Sequence, residues 1–80
     1  MVRAKLKSND VRQMLLKRSL SQGNFARKIA VTSAYCSQLL SGDRCPSPDV
    51  RARIMEELKA QFDDVFEIVH PQAADYTAVN

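Results

Sequence analysis

The sequence predicts an all-α fold, a compact domain of four to five short helices around one small core. Three observations carry this. Apolar residues recur at three- and four-residue spacings in successive stretches, the period of a helix face. Most of those stretches open on Ser, Asn or Thr, whose side-chain oxygens suit a helix N-terminus. The chain is 80 residues long, with 45% apolar and 26% charged residues, the make-up of one ordinary globular domain with a small core.

The first helix is expected to open at Ser8 or Asn9, with Asp10 in its first turn where the helix dipole favours a carboxylate. Val11, Met14 and Leu15 form its apolar face, Lys17 and Arg18 suit its last turn, and Ser19-Leu20-Ser21 breaks the pattern. Ser21 caps a second helix carrying Phe25, Ala26 and Ile29. Thr32 caps a third, with Tyr35, Cys36 and Leu39 at helical spacing, and Gly42 suits the left-handed position that ends it. After Arg44-Cys45-Pro46, Ser47 and Pro48 make a helix opening. Val50, Ile54, Leu58 and Phe62 then follow at steps of four, widened by Ala52 and Met55. Asp63-Asp64 would cap a last segment, Val65–Val69, which period alone leaves as a helical turn or a short strand. The organisation expected is an N-terminal basic arm over 1–7 (or a plain solvated tail), a domain over 8–69, and a loose tail over 70–80.

Several classes are excluded. Two glycines and three prolines are too few for a collagen-like or linker-like chain. No apolar run approaches the ~20 residues that span a bilayer. Met1-Val2-Arg3-Ala4-Lys5 has charge but no apolar stretch behind it, so no secretory signal is expected, and a cytoplasmic location away from membranes is the default expectation. Cys36 and Cys45 fit no common zinc spacing, and the single His70 lies far along the chain, so neither metal nor cofactor is expected. Two reduced, packed thiols are favoured over a disulfide. Neither cysteine has an evident activating base nearby in sequence, and the carboxylates lie at solvated spacings, which argues against an enzyme.

Charge is uneven. Residues 1–44 hold nine cationic side chains against two acidic ones, +7; residues 45–80 hold three against seven, −4, giving the net +3. The basic half points to a polyanion partner, the acidic half to a subunit contact or an anion-averse surface.

The segment 21–44 is the informative part. Two short helices, roughly 21–29 and 32–40, are joined by so few residues that they must cross steeply. Ala26 permits close approach, Ile29 and Val31 bracket the turn, and Cys36 and Leu39 turn inward. The outer face then consists of Ser33, Ala34, Ser37 and Gln38, small and uncharged where a solvated helix face usually carries Lys and Glu. A glutamine can bond adenine through two contacts, and the Ala34 methyl can meet a thymine methyl.

The ordered set Leu20-Ser21-Gln22, Phe25-Ala26-Arg27-Lys28-Ile29, Val31-Thr32, Tyr35-Cys36-Ser37-Gln38-Leu39 and Ser41-Gly42-Asp43-Arg44-Cys45-Pro46-Ser47-Pro48 resembles the phage-repressor/Cro type of helix-turn-helix domain, over about residues 8–69. Phe62-Asp63-Asp64-Val65-Phe66-Glu67-Ile68 is similar to the ending of small single-domain regulators of this type from Gram-positive bacteria and mobile elements. The chain departs from the pattern at Ala30, where the turn usually carries Gly; at Cys36, where Ile or Val is usual; and at Ser41, which replaces a common Asn. A positive φ costs Ala more than Gly.

The resemblance implies a lambda-repressor-like fold and a sequence-specific regulator of transcription, most simply a repressor, that binds double-stranded DNA. It places helix 2 across the backbone and helix 3 in the major groove. Base contacts then fall to Ser33, Ala34, Ser37 and Gln38. Phosphate contacts fall to Gln22, Tyr35 and Arg44, with Arg27 and Lys28 adding attraction. Half-buried packing is the alternative for Tyr35, and a salt bridge to Asp43 or the acidic fourth helix for Arg44. Val65, Phe66, Ile68 and Val69 are candidates for a homodimer contact, unless all of them close the chain's own core. No small-molecule effector is evident. A protein-interaction module on the same fold, such as an antitoxin-like or adaptor subunit, is the competing function, carried by the acidic helix and the apolar ending.

Overall fold

The computed structural model describes residues 2–70. In chain order they form β1 (Arg3–Leu6), α1 (Ser8–Lys17), α2 (Gln22–Lys28), α3 (Ser33–Ser41), α4 (Pro48–Leu58), α5 (Phe62–Val65) and β2 (Phe66–Val69). The fold is predominantly helical, with five helices among the described residues and one minor two-stranded sheet.

Most expected helix boundaries have a local chemical cause in the structure. Ser21 Oγ accepts from the Asn24 N–H at 3.1 Å, Thr32 Oγ1 from the Tyr35 N–H at 3.1 Å, and Ser47 Oγ from the Val50 N–H at 3.4 Å. Each side chain thus satisfies a donor that the first helical turn leaves without a partner. Gly42 ends α3 at φ 87°, a left-handed conformation that costs glycine nothing sterically.

Three boundaries differ from expectation. α1 is preceded by Lys7 rather than capped by Ser8 or Asn9, and no side chain caps it. The apolar run through Phe62 is not one helix. α4 stops at Leu58 because Lys59 turns left-handed (φ 52°), and the Ala60 N–H folds back to the Met55 carbonyl at 3.0 Å. Phe62 instead opens α5, whose start is capped by Asp64 Oδ2 accepting from the Gln61 N–H at 2.9 Å.

The largest difference is at the chain's two ends. Arg3–Leu6, expected to be a free arm or tail, pairs antiparallel with Phe66–Val69 in the register Arg3↔Val69, Ala4↔Ile68, Lys5↔Glu67, Leu6↔Phe66. The Lys7 N–H extends the ladder to the Val65 carbonyl at 2.8 Å. Two strands alone are marginal in water. Here Ala4, Leu6 and Phe66 are buried, so the ribbon is fastened by the helical core. Residues 71–80, most of the expected tail, lie outside the described residues.

The core gathers Val11 and Leu15 from α1, Phe25 and Ala26 from α2 with Ile29 after it, Cys36, Leu39 and Leu40 from α3, and Val50, Ile54 and Leu58 from α4. Val65, Leu6 and Phe66 close it. No polar side chain is buried among the described residues.

Candidate nucleic-acid interface

The link between α2 and α3 is Ile29–Thr32. Ala30 turns it at φ 60°, and the Val31 N–H reaches back to the Ala26 carbonyl at 2.9 Å. Ile29 is fully buried and Val31 half-buried beneath the turn. A left-handed elbow pinned by two apolar side chains therefore joins α2 to α3.

The crossing leaves α3 with two chemically distinct sides. Cys36, Leu39 and Leu40 are buried, while Ser33, Ala34, Ser37 and Gln38 are all exposed. The four side chains singled out for base contact therefore share one solvent-facing surface without a charge. Gln38 also organises the turn that leaves α3. Its backbone carbonyl accepts from the Asp43 N–H at 2.9 Å, the Arg44 N–H at 3.2 Å and Ser41 Oγ at 3.1 Å. The residue at the end of the outer face thus fixes the loop that presents Arg44.

Among the phosphate candidates, Gln22 is the first residue of α2 and is half-buried, with its backbone carbonyl accepting from Cys36 Sγ at 3.9 Å. This thiol contact ties the start of α2 to the inner side of α3. Tyr35 is half-buried and packs on the core. Arg44 is exposed, and neither Asp43 nor an α4 carboxylate pairs with it; the ion pair among the described residues is Lys28–Glu57, at 4.0 Å.

That pair draws Lys28 toward the end of α4. It lines an open cleft with Arg18, Arg53, Glu56, Glu57 and Lys59, where charges of both signs mix. Lys28 also lies at the opposite end of α2 from Gln22, about 9 Å along the axis. Arg27 is exposed and donates to Asn24 Oδ1 on its own helix. The structure therefore does not bring Lys28 together with the outer face of α3.

Two cations at the C-terminal end of α3 were not singled out from sequence. Arg12, on α1, donates to the Leu40 carbonyl at 3.4 Å and so meets the C-terminal end of α3. Lys5, on β1, lies over Gly42: its Cε would be 3.1 Å and its Nζ 3.5 Å from a methyl group placed there. The signal for Lys5 was present in the alternation of Val2, Ala4 and Leu6 with Arg3, Lys5 and Lys7, which is a strand pattern.

Cys36 is a packing residue at this surface. Burial pushes its thiol pKa upward, opposed in part by the Arg12 guanidinium. Both cysteines are free thiols, and the described residues hold no group of metal-ligating side chains.

The dimer candidates divide. Val65 and Phe66 are buried in the chain's own core, so neither is open to a surface contact. Ile68 is 56% exposed and Val69 half-buried.

An elbow of two short helices, with a polar face turned outward and a core behind it, defines the helix-turn-helix class. The helix-turn-helix family model matches residues 11–65, and the chain belongs to that family, of the lambda-repressor/Cro-like kind. A crystal structure of the transcriptional regulator VanUg is similar in fold, with a TM-score of 0.66 and 21% identity over 88% of this chain and 89% of that one. None of the curated proteins matches the chain. No helix among the described residues is long and apolar enough to cross a membrane.

Proposed function

We propose that this protein is a sequence-specific DNA-binding regulator of transcription that inserts α3 into the major groove and represses by occupying its site. The observation that carries this is the outer face of α3, on which Ser33, Ala34, Ser37 and Gln38 are exposed together without a charge. Uncharged, short side chains let the helix approach base edges, and the glutamine supplies paired donor and acceptor groups for adenine. Gln22 at the head of α2 and Arg44 in the loop after α3 would supply the phosphate contacts that set the docking register. The family membership supports DNA as the partner.

The protein acts as a homodimer in this reading. Ile68 and Val2, 56% and 53% exposed, line one groove with Ala4 and Phe62, edged by Arg3 and Arg51, and continue the apolar side of the small sheet to the surface. Two copies joined there would present two α3 helices to a pseudo-palindromic site.

Selection of binding sites from random duplexes, run at two salt concentrations, tests the proposal. A defined, inverted-repeat motif is expected. Gln38→Ala is expected to relax preference at one position per half-site and to cost about 1–3 kcal/mol on the selected site. Arg44→Ala is expected to weaken all sequences alike and to flatten the salt dependence. Failure to enrich any motif, combined with a stoichiometric protein partner in a pull-down, would replace this function with the interaction-module one.

A further inference from the structure

We propose that Lys5, carried on β1, is an additional phosphate-binding residue that acts with Arg44 on the same stretch of DNA backbone; this rests on the DNA-binding function proposed above. The argument begins with the strand. Pairing with Phe66–Val69 removes Arg3–Leu6 from solution as a flexible arm and fixes each side chain in direction. Ala4 and Leu6 point into the core, so Lys5, between them, points out. Its aliphatic stem runs over Gly42, with Cε 3.1 Å from where a methyl group on that residue would be. Gly42 ends α3, and Arg44 follows two residues later. The Lys5 ammonium is therefore held beside the loop that presents Arg44.

The ammonium has no internal task that would account for this placement. Glu67 stands opposite Lys5 in the ladder, yet no ion pair forms between them within 4.0 Å. The carbonyls at the end of α3 are served by other donors: Leu40 by Arg12, and Gln38 by Ser41 and the loop amides. Lys7 provides the contrast, because its Nζ donates to the Asp63 carbonyl at 2.7 Å. Lys5 has no hydrogen-bond partner of that kind among the described residues. A cation whose stem rests on the Gly42 turn, without an internal acceptor and beside the loop proposed to contact phosphate, is suited to an external anion.

Lys5→Met tests this, because methionine keeps the stem over Gly42 and removes only the charge. Binding to mixed-sequence duplex DNA is measured against salt concentration for the wild type, Lys5→Met, Lys5→Arg and Lys7→Met, with thermal unfolding of each. Lys5→Met is expected to shallow the log–log salt slope by about 0.9 and to lower affinity roughly 3- to 10-fold near 0.1 M salt. Lys5→Arg should restore the slope, and Lys7→Met should leave it unchanged. An unchanged slope in Lys5→Met, while wild type binds with a steep one, overturns the role of Lys5 alone, whether or not the melting temperature falls. A wild type without salt-dependent binding overturns the DNA-binding function itself.

Discussion

Ala30 holds φ at 60° in the elbow between α2 and α3, where its exposed methyl group gains no packing in return. The left-handed region costs an L-residue about 1–2 kcal/mol, part of which glycine gives back through its more flexible unfolded chain. Ala30→Gly is therefore expected to stabilise the protein by about 0.5–1 kcal/mol and to raise the melting temperature by several degrees. Thermal unfolding measures this, and an unchanged or lower melting temperature would show that the elbow is not strained. The departure from the family pattern at residue 30 was visible in sequence; the φ angle that gives it a cost was not. Cys36 is a second such position. Its inward direction followed from helical spacing, but its contact with the Gln22 carbonyl depends on how two helices cross. Because burial raises the folded thiol's pKa, the folded state holds its proton where the unfolded chain has begun to ionise. The stability this contributes is full below the unfolded thiol's pKa and is lost as pH rises through the folded one. From about pH 8.5 upward, wild type should lose stability faster than Cys36→Val. Parallel urea midpoints for the two proteins across that range would refute the assignment.

At the scale of elements, the helices with a hydroxyl cap were the legible ones. Ser21, Thr32 and Ser47 each accept from the amide three residues on, an interaction complete within four residues and so readable without the fold. The ends of α1 and α4 were misplaced for the complementary reason. Lys7 supplies no side-chain cap, and Lys59 turns left-handed with no glycine to announce it. The sheet was missed because its pairing joins residues sixty or more positions apart, and four alternating residues beside a run of cations look like a solvated arm. β1 is nonetheless structural. Leu6 is only 1% exposed, so Leu6→Ala should cost about 2–5 kcal/mol in urea-induced unfolding. A free arm would give no change, which makes this substitution a direct discriminator between the two descriptions of the N-terminus.

Across the whole molecule, the uneven charge separates into positions with different tasks. Arg44 and Lys5 flank the end of α3 without carboxylate partners within 4.0 Å, whereas Lys28 is drawn to Glu57 and Lys7 to a backbone carbonyl. A count of basic residues in the first half could not make that distinction, since it depends on the packing of α4 and α5 against the rest. The apolar ending divides likewise: Val65 and Phe66 complete the core, and Ile68 stays exposed, where the proposed dimer would use it. Ile68→Glu is expected to leave the melting temperature nearly unchanged while converting a dimer to a monomer in sedimentation equilibrium. A wild type that sediments as a monomer at every concentration would remove the two-fold arrangement.

The outer face of α3 is tested most directly by backbone amide shifts of isotope-labelled protein, titrated with a duplex carrying the selected motif. The largest changes are expected at residues 33–38, at Gln22 and over 42–44, with Lys5 moving alongside them. Shifts concentrated on α4, with residues 33–38 unmoved, would contradict the proposed interface.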